Sequence, residues 1–191
     1  MNIIDQAGVA EQTVNKSKFL AWASCCQTEK EVSAFLSAIA SQHQNASHLA
    51  YAFRLKTSAG IILRFSDAGE PSGTAGKPIL QLLEGRDLIN ACVGVIRYYG
   101  GVNLGKGGLA RAYGGTAKLA LDAAIQKPYV EMHELSLTVE YNQLDALIKA
   151  LAQIGGSMIN KTFADKVHLS IRLPITEEKV FKSRFQSEYK T

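Results

Sequence analysis

The chain has 191 residues, 47% of them apolar and 20% charged, the balance of a globular protein with a real core and not of a disordered or fibrous one. A net charge of +4 is too small on its own to announce nucleic acid, no run approaches the ~18 apolar residues of a membrane span, and the start Met1-Asn2-Ile3-Ile4-Asp5 lacks the basic and apolar regions of a signal peptide. Cys25, Cys26 and Cys92 are an odd set without a CxxC and fit free thiols in a reducing compartment, so the expected location is the cytoplasm.

Val9 to Val14 and Phe19 to Cys26 are expected to be strands, the second alternating Phe19, Ala21, Ala23 and Cys25 on one face with Leu20 and Trp22 on the other. Thr28 and Glu31 then form a capping box ahead of Val32, Phe35, Leu36, Ile39 and Ala40, which share one helical face. Leu49, Tyr51, Phe53 and Leu55 alternate as a strand, and Ser58-Ala59-Gly60 turns it into a hairpin with Ile61 to Phe65. Ser66 to Gly76 is loop by composition. Pro78 suits the first turn of a short helix ending near Glu84, and Ala91 to Tyr99 reads as a buried strand. A glycine loop, Gly100 to Gly108, precedes a helix to about Ala124, which Lys127 and Pro128 end. The pattern then restarts, so two domains are expected, 1–127 and 128–191. In the second, strand 135–141, helix 144–151, a hairpin of 157–163 with 167–173 and a last helix from Ile175 to Tyr189 give the order βαββα, a ferredoxin-like domain without its final strand. The fold class is α+β.

Charge and glycine concentrate in the middle. Between Gly85 and Lys118 stand Arg86, Arg97, Lys106, Arg111 and Lys118 against Asp87 alone, and 13 of the 16 glycines lie between Gly60 and Gly115. The glycine loop Gly100, Gly101, Gly105, Lys106, Gly107, Gly108 sits between a strand and a helix, where free backbone N–H groups and the helix dipole favour an anion such as phosphate. The string reads GxxxxGK, but Gly107 stands where nucleotide hydrolases need a magnesium-binding hydroxyl. Alternatively the glycines only permit a tight crossover. Asp67 and Glu70 can serve as an acid and base with Ser72 or Thr74 as nucleophile; equally, the carboxylates can pair with Arg97 or Arg111 while Thr74 caps the helix near Pro78. The four histidines are scattered, so no metal site is expected; His48, at the start of a strand, is the one to watch. Tyr98, Tyr99 and Tyr113 among basic residues suit RNA, or else a core.

As a set, Arg64-Phe-Ser-Asp67-Ala-Gly-Glu70-Pro-Ser-Gly-Thr-Ala-Gly-Lys77-Pro78 and Arg97-Tyr-Tyr-Gly-Gly101-Val-Asn-Leu-Gly105-Lys-Gly-Gly108-Leu-Ala-Arg111 resemble the IMPACT family, specifically its short bacterial members, with Asn15-Lys-Ser-Lys-Phe19, His48 and Ala52 as further matches. Ala68 replaces an acid common in that family, and Ala50 stands where many members carry cysteine. The resemblance implies an amino-terminal domain of the fold shared by a ribosomal small-subunit protein and the fourth domain of elongation factor G, with a second domain similar to that factor's fifth. Eukaryotic relatives regulate translation through an extra amino-terminal domain, for which this chain has no room. The expected function is therefore non-enzymatic and translation-associated: binding of RNA or a ribosome-related surface through Arg64, Lys77, Arg97, Arg111 and the Lys106 glycine loop, with Asp67, Glu70, Ser72, Thr74 and His48 in support and no cofactor. A translation-related protein is a further expected partner. An interaction module using the carboxy-terminal sheet edge, or a phosphate-dependent small-molecule enzyme, are the competing readings.

Overall fold

The structure, a computed structural model, describes residues 1–185. The chain divides into two compact units, Met1–Tyr129 and Val130–Thr191. The first runs β1 (Asn2–Gln6), β2 (Gly8–Val14), β3 (Ser17–Cys25), α1 (Glu29–Gln42), β4 (His48–Thr57), β5 (Gly60–Ser66), α2 (Gly76–Gly85), β6 (Ala91–Tyr98), α3 (Gly105–Ala123) and β7 (Ile125–Pro128). The second runs β8 (Met132–Val139), α4 (Leu144–Gln153), β9 (Ser157–Phe163), β10 (Val167–Pro174) and α5 (Glu178–Phe185).

The first unit is built on an antiparallel sheet in the order β2-β3-β6-β4-β5. Asn15 and Lys16, both at positive φ, make the two-residue turn between β2 and β3, as the twist of a tight hairpin requires. α2 and α3 pack on the face carrying Phe19, Ala21, Ala23, Ala50, Ala52, Val93 and Val95. The alanines bring helix close to sheet. Gly8 shows how close: a Cβ there would lie 2.1 Å from the Ala120 carbonyl oxygen of α3. Gln12 fastens the same helix, its Nε2 donating to Ala112 O at 2.9 Å and Thr116 Oγ1 at 2.6 Å. α1 covers the other face over Cys26, Phe53, Leu55 and Cys92. Thr28 caps it as the sequence suggests, its Oγ1 accepting from the Glu31 N–H, but the reciprocal half of the box is displaced by one residue, the Glu31 carboxylate accepting from the Gln27 N–H. Covered on both sides, β6 is buried from Ala91 to Arg97, which is why it reads as one apolar run.

In the second unit the three strands are antiparallel in the order β8-β10-β9. Leu135, Leu137, Val139, Leu169 and Ile171 turn towards α4 and α5, in a core with Leu147 and Phe181. α4 ends in a Schellman motif: the Gly156 N–H donates to Leu151 O and the Gly155 N–H to Ala152 O, with Gly155 at φ 71°.

Three expectations need correction. α3 begins at Gly105, so Lys106, Gly107 and Gly108 form its first turn instead of extending the loop. Lys127 and Pro128 do not simply end a helix; they belong to β7, which pairs with β1 from Asn2↔Pro128 to Gln6↔Ile125. Both strands are too short for an alternating pattern to stand out. The last helix starts at Glu178, after a 3-10 turn over Ile175–Glu177, and its expected extension to Tyr189 lies outside the described residues.

Candidate functional site

Strand register places Arg97 of β6 between Phe19 of β3 and His48 of β4 in one rung, on the face covered by α2 and α3. The Arg97 side chain is 6% exposed and that of Glu70, from the loop after β5, is 4% exposed. Arg97 Nη1 donates to Glu70 Oε1 at 2.8 Å and Nη2 to Ser17 Oγ at 3.3 Å. Among the described residues its Nε has no hydrogen-bond partner, but the guanidinium carbon lies 5.7 Å from the Phe19 ring centre and 5.1 Å from that of Tyr99, so ring faces attract the cation there. From α3, the Tyr113 hydroxyl donates to the same Glu70 oxygen at 2.8 Å. Burial pushes the Tyr113 phenol far up, and the Glu70 hydrogen bond pushes it further. It remains a donor throughout the working pH range. His48 Nδ1 lies 2.8 Å from the Ala68 carbonyl, which can only accept, so Nδ1 carries the proton. Nε2 then faces Glu70 Oε1 at 3.9 Å.

Asp67 has a different task. Its carboxylate accepts from the N–H groups of Gly73, Ala75 and Gly76 at 2.8–2.9 Å. Burial alone would raise this carboxyl; the three backbone donors outweigh it and hold the group below the ordinary carboxylate range. Thr74, expected to cap α2, instead donates its hydroxyl to Pro71 O at 2.6 Å, and Ala75 at the cap position offers no side-chain acceptor. Asp67 caps that helix from across the loop. The positive end of α2 is thereby filled by the chain's own carboxylate.

α3 starts without such a plug. Leu104 at its cap position gives no side-chain hydrogen bond, and the first turn contains no acid. Gly100 lets the incoming chain pass against the β2–β3 turn: a Cβ there would meet Lys16 C and O at 2.1 Å, and its N–H donates to Ser17 Oγ at 3.2 Å. Gly101 and Gly105 sit at φ 78° and 66°, which side chains rarely adopt. A Cβ on Gly107 would lie 3.5 Å from Arg111 Nη1, so the guanidinium folds back over the first turn. Lys106 and Arg111 are exposed, and Gly108 is partly covered. Lys77 is exposed at the start of α2, and Ser72 is exposed in the loop before it.

Arg64 is not part of this site. It pairs with Phe53 in register on the α1 face, and its Nη1 bonds Glu29 Oε2 at 2.8 Å; the odd residue count from Arg64 to Phe65 and Ala52 puts it on the opposite side of the sheet from Arg97. Of the tyrosines, Tyr113 is core, the Tyr98 hydroxyl lies 2.9 Å from His43 Nδ1, and Tyr99 is 49% exposed. The structure adds Ser17 and Tyr113 to the polar cluster. The signal for Tyr113 is a phenol on the apolar face formed by Leu109, Ala112, Thr116 and Ala117, where a buried hydroxyl needs a partner; no comparable signal marks Ser17. Among the described residues no group of three or more His, Cys, Asp or Glu could hold a metal ion.

The polar cluster and both helix starts fall inside residues 15–121, which match the Impact N-terminal domain model. The chain belongs to the IMPACT family. A second match, residues 137–187, is to a domain of unknown function, DUF1949. An IMPACT family member of Haemophilus influenzae is 34% identical over 178 residues, covering 93% of this chain and 86% of the relative. The IMPACT family member YigZ of Escherichia coli K12 is 33% identical over 174 residues, covering 91% and 85%. A solved structure described as that of a hypothetical protein shares 30% identity and superposes with a TM-score of 0.72 over 99% of this chain and 98% of its own. The IMPACT match thus spans the site, and the second match spans the separate core around Leu147. No helix among the described residues is long and apolar enough to cross a membrane.

Proposed function

We propose that this IMPACT family member is a non-enzymatic, translation-associated regulator that binds RNA, taking backbone phosphates at the first turn of α3. The carrying observation is the contrast between the two helix starts: α2 is closed by Asp67, whereas α3 has no side-chain cap or acid in its first turn and has Arg111 folded over Gly107. Uncapped N–H groups, the helix dipole and adjoining cations form a phosphate site. Lys106 and Lys77 extend the positive surface, and the exposed Tyr99 ring offers a base a stacking face. Arg97 and Glu70 hold the scaffold rather than the ligand, since each is buried against the other. The two units act as separate domains in the cytoplasm, the first of the translation-factor type implied by the sequence. The second is a ferredoxin-like domain lacking one strand; its βαββα order and β8-β10-β9 sheet support that reading.

The test is filter binding of short single-stranded RNA at several salt concentrations. Lys106→Ala with Arg111→Ala weakens binding uniformly across sequences and flattens the logarithmic salt dependence by about 0.7 per lost contact. An unchanged slope, or no salt-dependent binding by the unaltered protein, overturns the proposal.

A further inference from the structure

β5 ends the larger sheet and, among the described residues, pairs only with β4. Its outer edge therefore presents unpaired backbone donors and acceptors, a template for another strand. Of the usual protections it has one charge, Arg64, which is paired with Glu29. The strand Gly60–Ser66 contains no lysine or proline, and its register with β4 has no bulge. Ile61, Leu63 and Phe65, on one face, are 40%, 45% and 43% exposed. The opposite edge, β2, carries Glu11, which pairs with Lys18, and Gln12, which is tied to α3.

We infer that β5 pairs antiparallel with β5 of a second copy of this chain, about a two-fold axis through Leu63. This is self-complementary by sequence. The axis sets Leu63 opposite Leu63 and Ile61 opposite Phe65, so the three exposed apolar side chains of each copy join in one stripe, as an isologous contact demands. On the other face Arg64 stands opposite Ile62, so no two arginines are directly opposed. Each Arg64 also retains Glu29 at 2.8 Å, which neutralises the strand's one charge where the copies meet. The two five-stranded sheets become continuous, and both outer edges are satisfied at once.

Sedimentation velocity from micromolar to high micromolar concentration reads the association directly. The unaltered chain shifts from monomer to dimer, and Leu63→Lys, which opposes two ammonium groups at the axis, weakens association at least about tenfold. Leu63 is partly exposed, so the variant folds, which an unchanged melting curve verifies. The register has its own test. In a Cys25→Ser background, Leu63→Cys forms an intermolecular disulfide, because directly opposed residues have Cα atoms about 4.5–5.5 Å apart, within disulfide reach; Ile61→Cys alone does not. Three results overturn the inference: an unaltered chain that stays monomeric throughout, a dimer that Leu63→Lys leaves intact, or a dimer of the Leu63→Cys variant that does not cross-link. A monomer that captures an added apolar strand peptide at β5 assigns the edge to a foreign strand and equally overturns the second copy.

Discussion

At Glu70 one carboxylate oxygen takes both the Arg97 guanidinium and the Tyr113 hydroxyl, each at 2.8 Å. Removing the acid leaves a buried cation with the Ser17 hydroxyl and aromatic faces beside it but without its carboxylate partner. Glu70→Ala is therefore expected to cost about 3–5 kcal/mol in urea unfolding, and adding Arg97→Met to recover most of that loss. Tyr113→Phe, which keeps the ring, costs about 1 kcal/mol and also changes the alkaline limb. The phenol is raised in the folded state, so above pH ~10 the unfolded chain loses its proton and the folded chain does not. Stability falls as pH rises there, and the Phe variant falls less steeply. Asp67 works with the opposite sign. Its folded carboxyl is depressed, so its contribution is present above pH ~4 and is lost as pH falls through the folded value. Asp67→Asn is expected to lose about 1–2 kcal/mol at neutral pH and to show a flatter acid limb in pH-dependent melts.

At the scale of elements, glycines that look alike in sequence do different work. Gly8→Ala drives a methyl into the Ala120 carbonyl and should separate α3 from β2, lowering the melting temperature sharply. Gly107→Ala meets only the movable end of Arg111 at 3.5 Å and should add up to about 1 kcal/mol through helix propensity. Thermal melts of the two variants in parallel check both. The same distinction explains what could be read in advance. Capping at Thr28, alternation through Phe19 to Cys25 and the apolar run of β6 are local patterns, and each element formed nearly where its pattern placed it. Whether Asp67 or Glu70 would meet Arg97 depended on which carboxylate the loop turned inward. Arg64 lay three residues from Asp67 in sequence, yet strand alternation sent it to the α1 face. The β1–β7 pairing joins residues more than a hundred positions apart, a distance no local pattern spans.

At the scale of the molecule, the apolar clusters separate into those of the first unit and one around Leu147 in the second. Trp22, the chain's one tryptophan, reports only on the first. Leu147 is fully buried, so Leu147→Ala should cost the second unit about 2–5 kcal/mol. The expected result is an earlier phase in far-ultraviolet circular dichroism while the Trp22 fluorescence transition stays in place; a matching shift in fluorescence would mean the units unfold as one. The sheet order carries a consequence for biosynthesis. Both hairpins, β2-β3 and β4-β5, leave the ribosome before the strand that belongs between them, because β6 begins only at Ala91. The β4-β5 hairpin waits with the edge that β6 will fill unpaired while about thirty more residues are added, and β2-β3 while about seventy are, a matter of seconds at the usual pace of translation. A polypeptide halted in that interval has two finished hairpins and nothing to join them, making it a target for chaperones and proteases that the completed chain escapes.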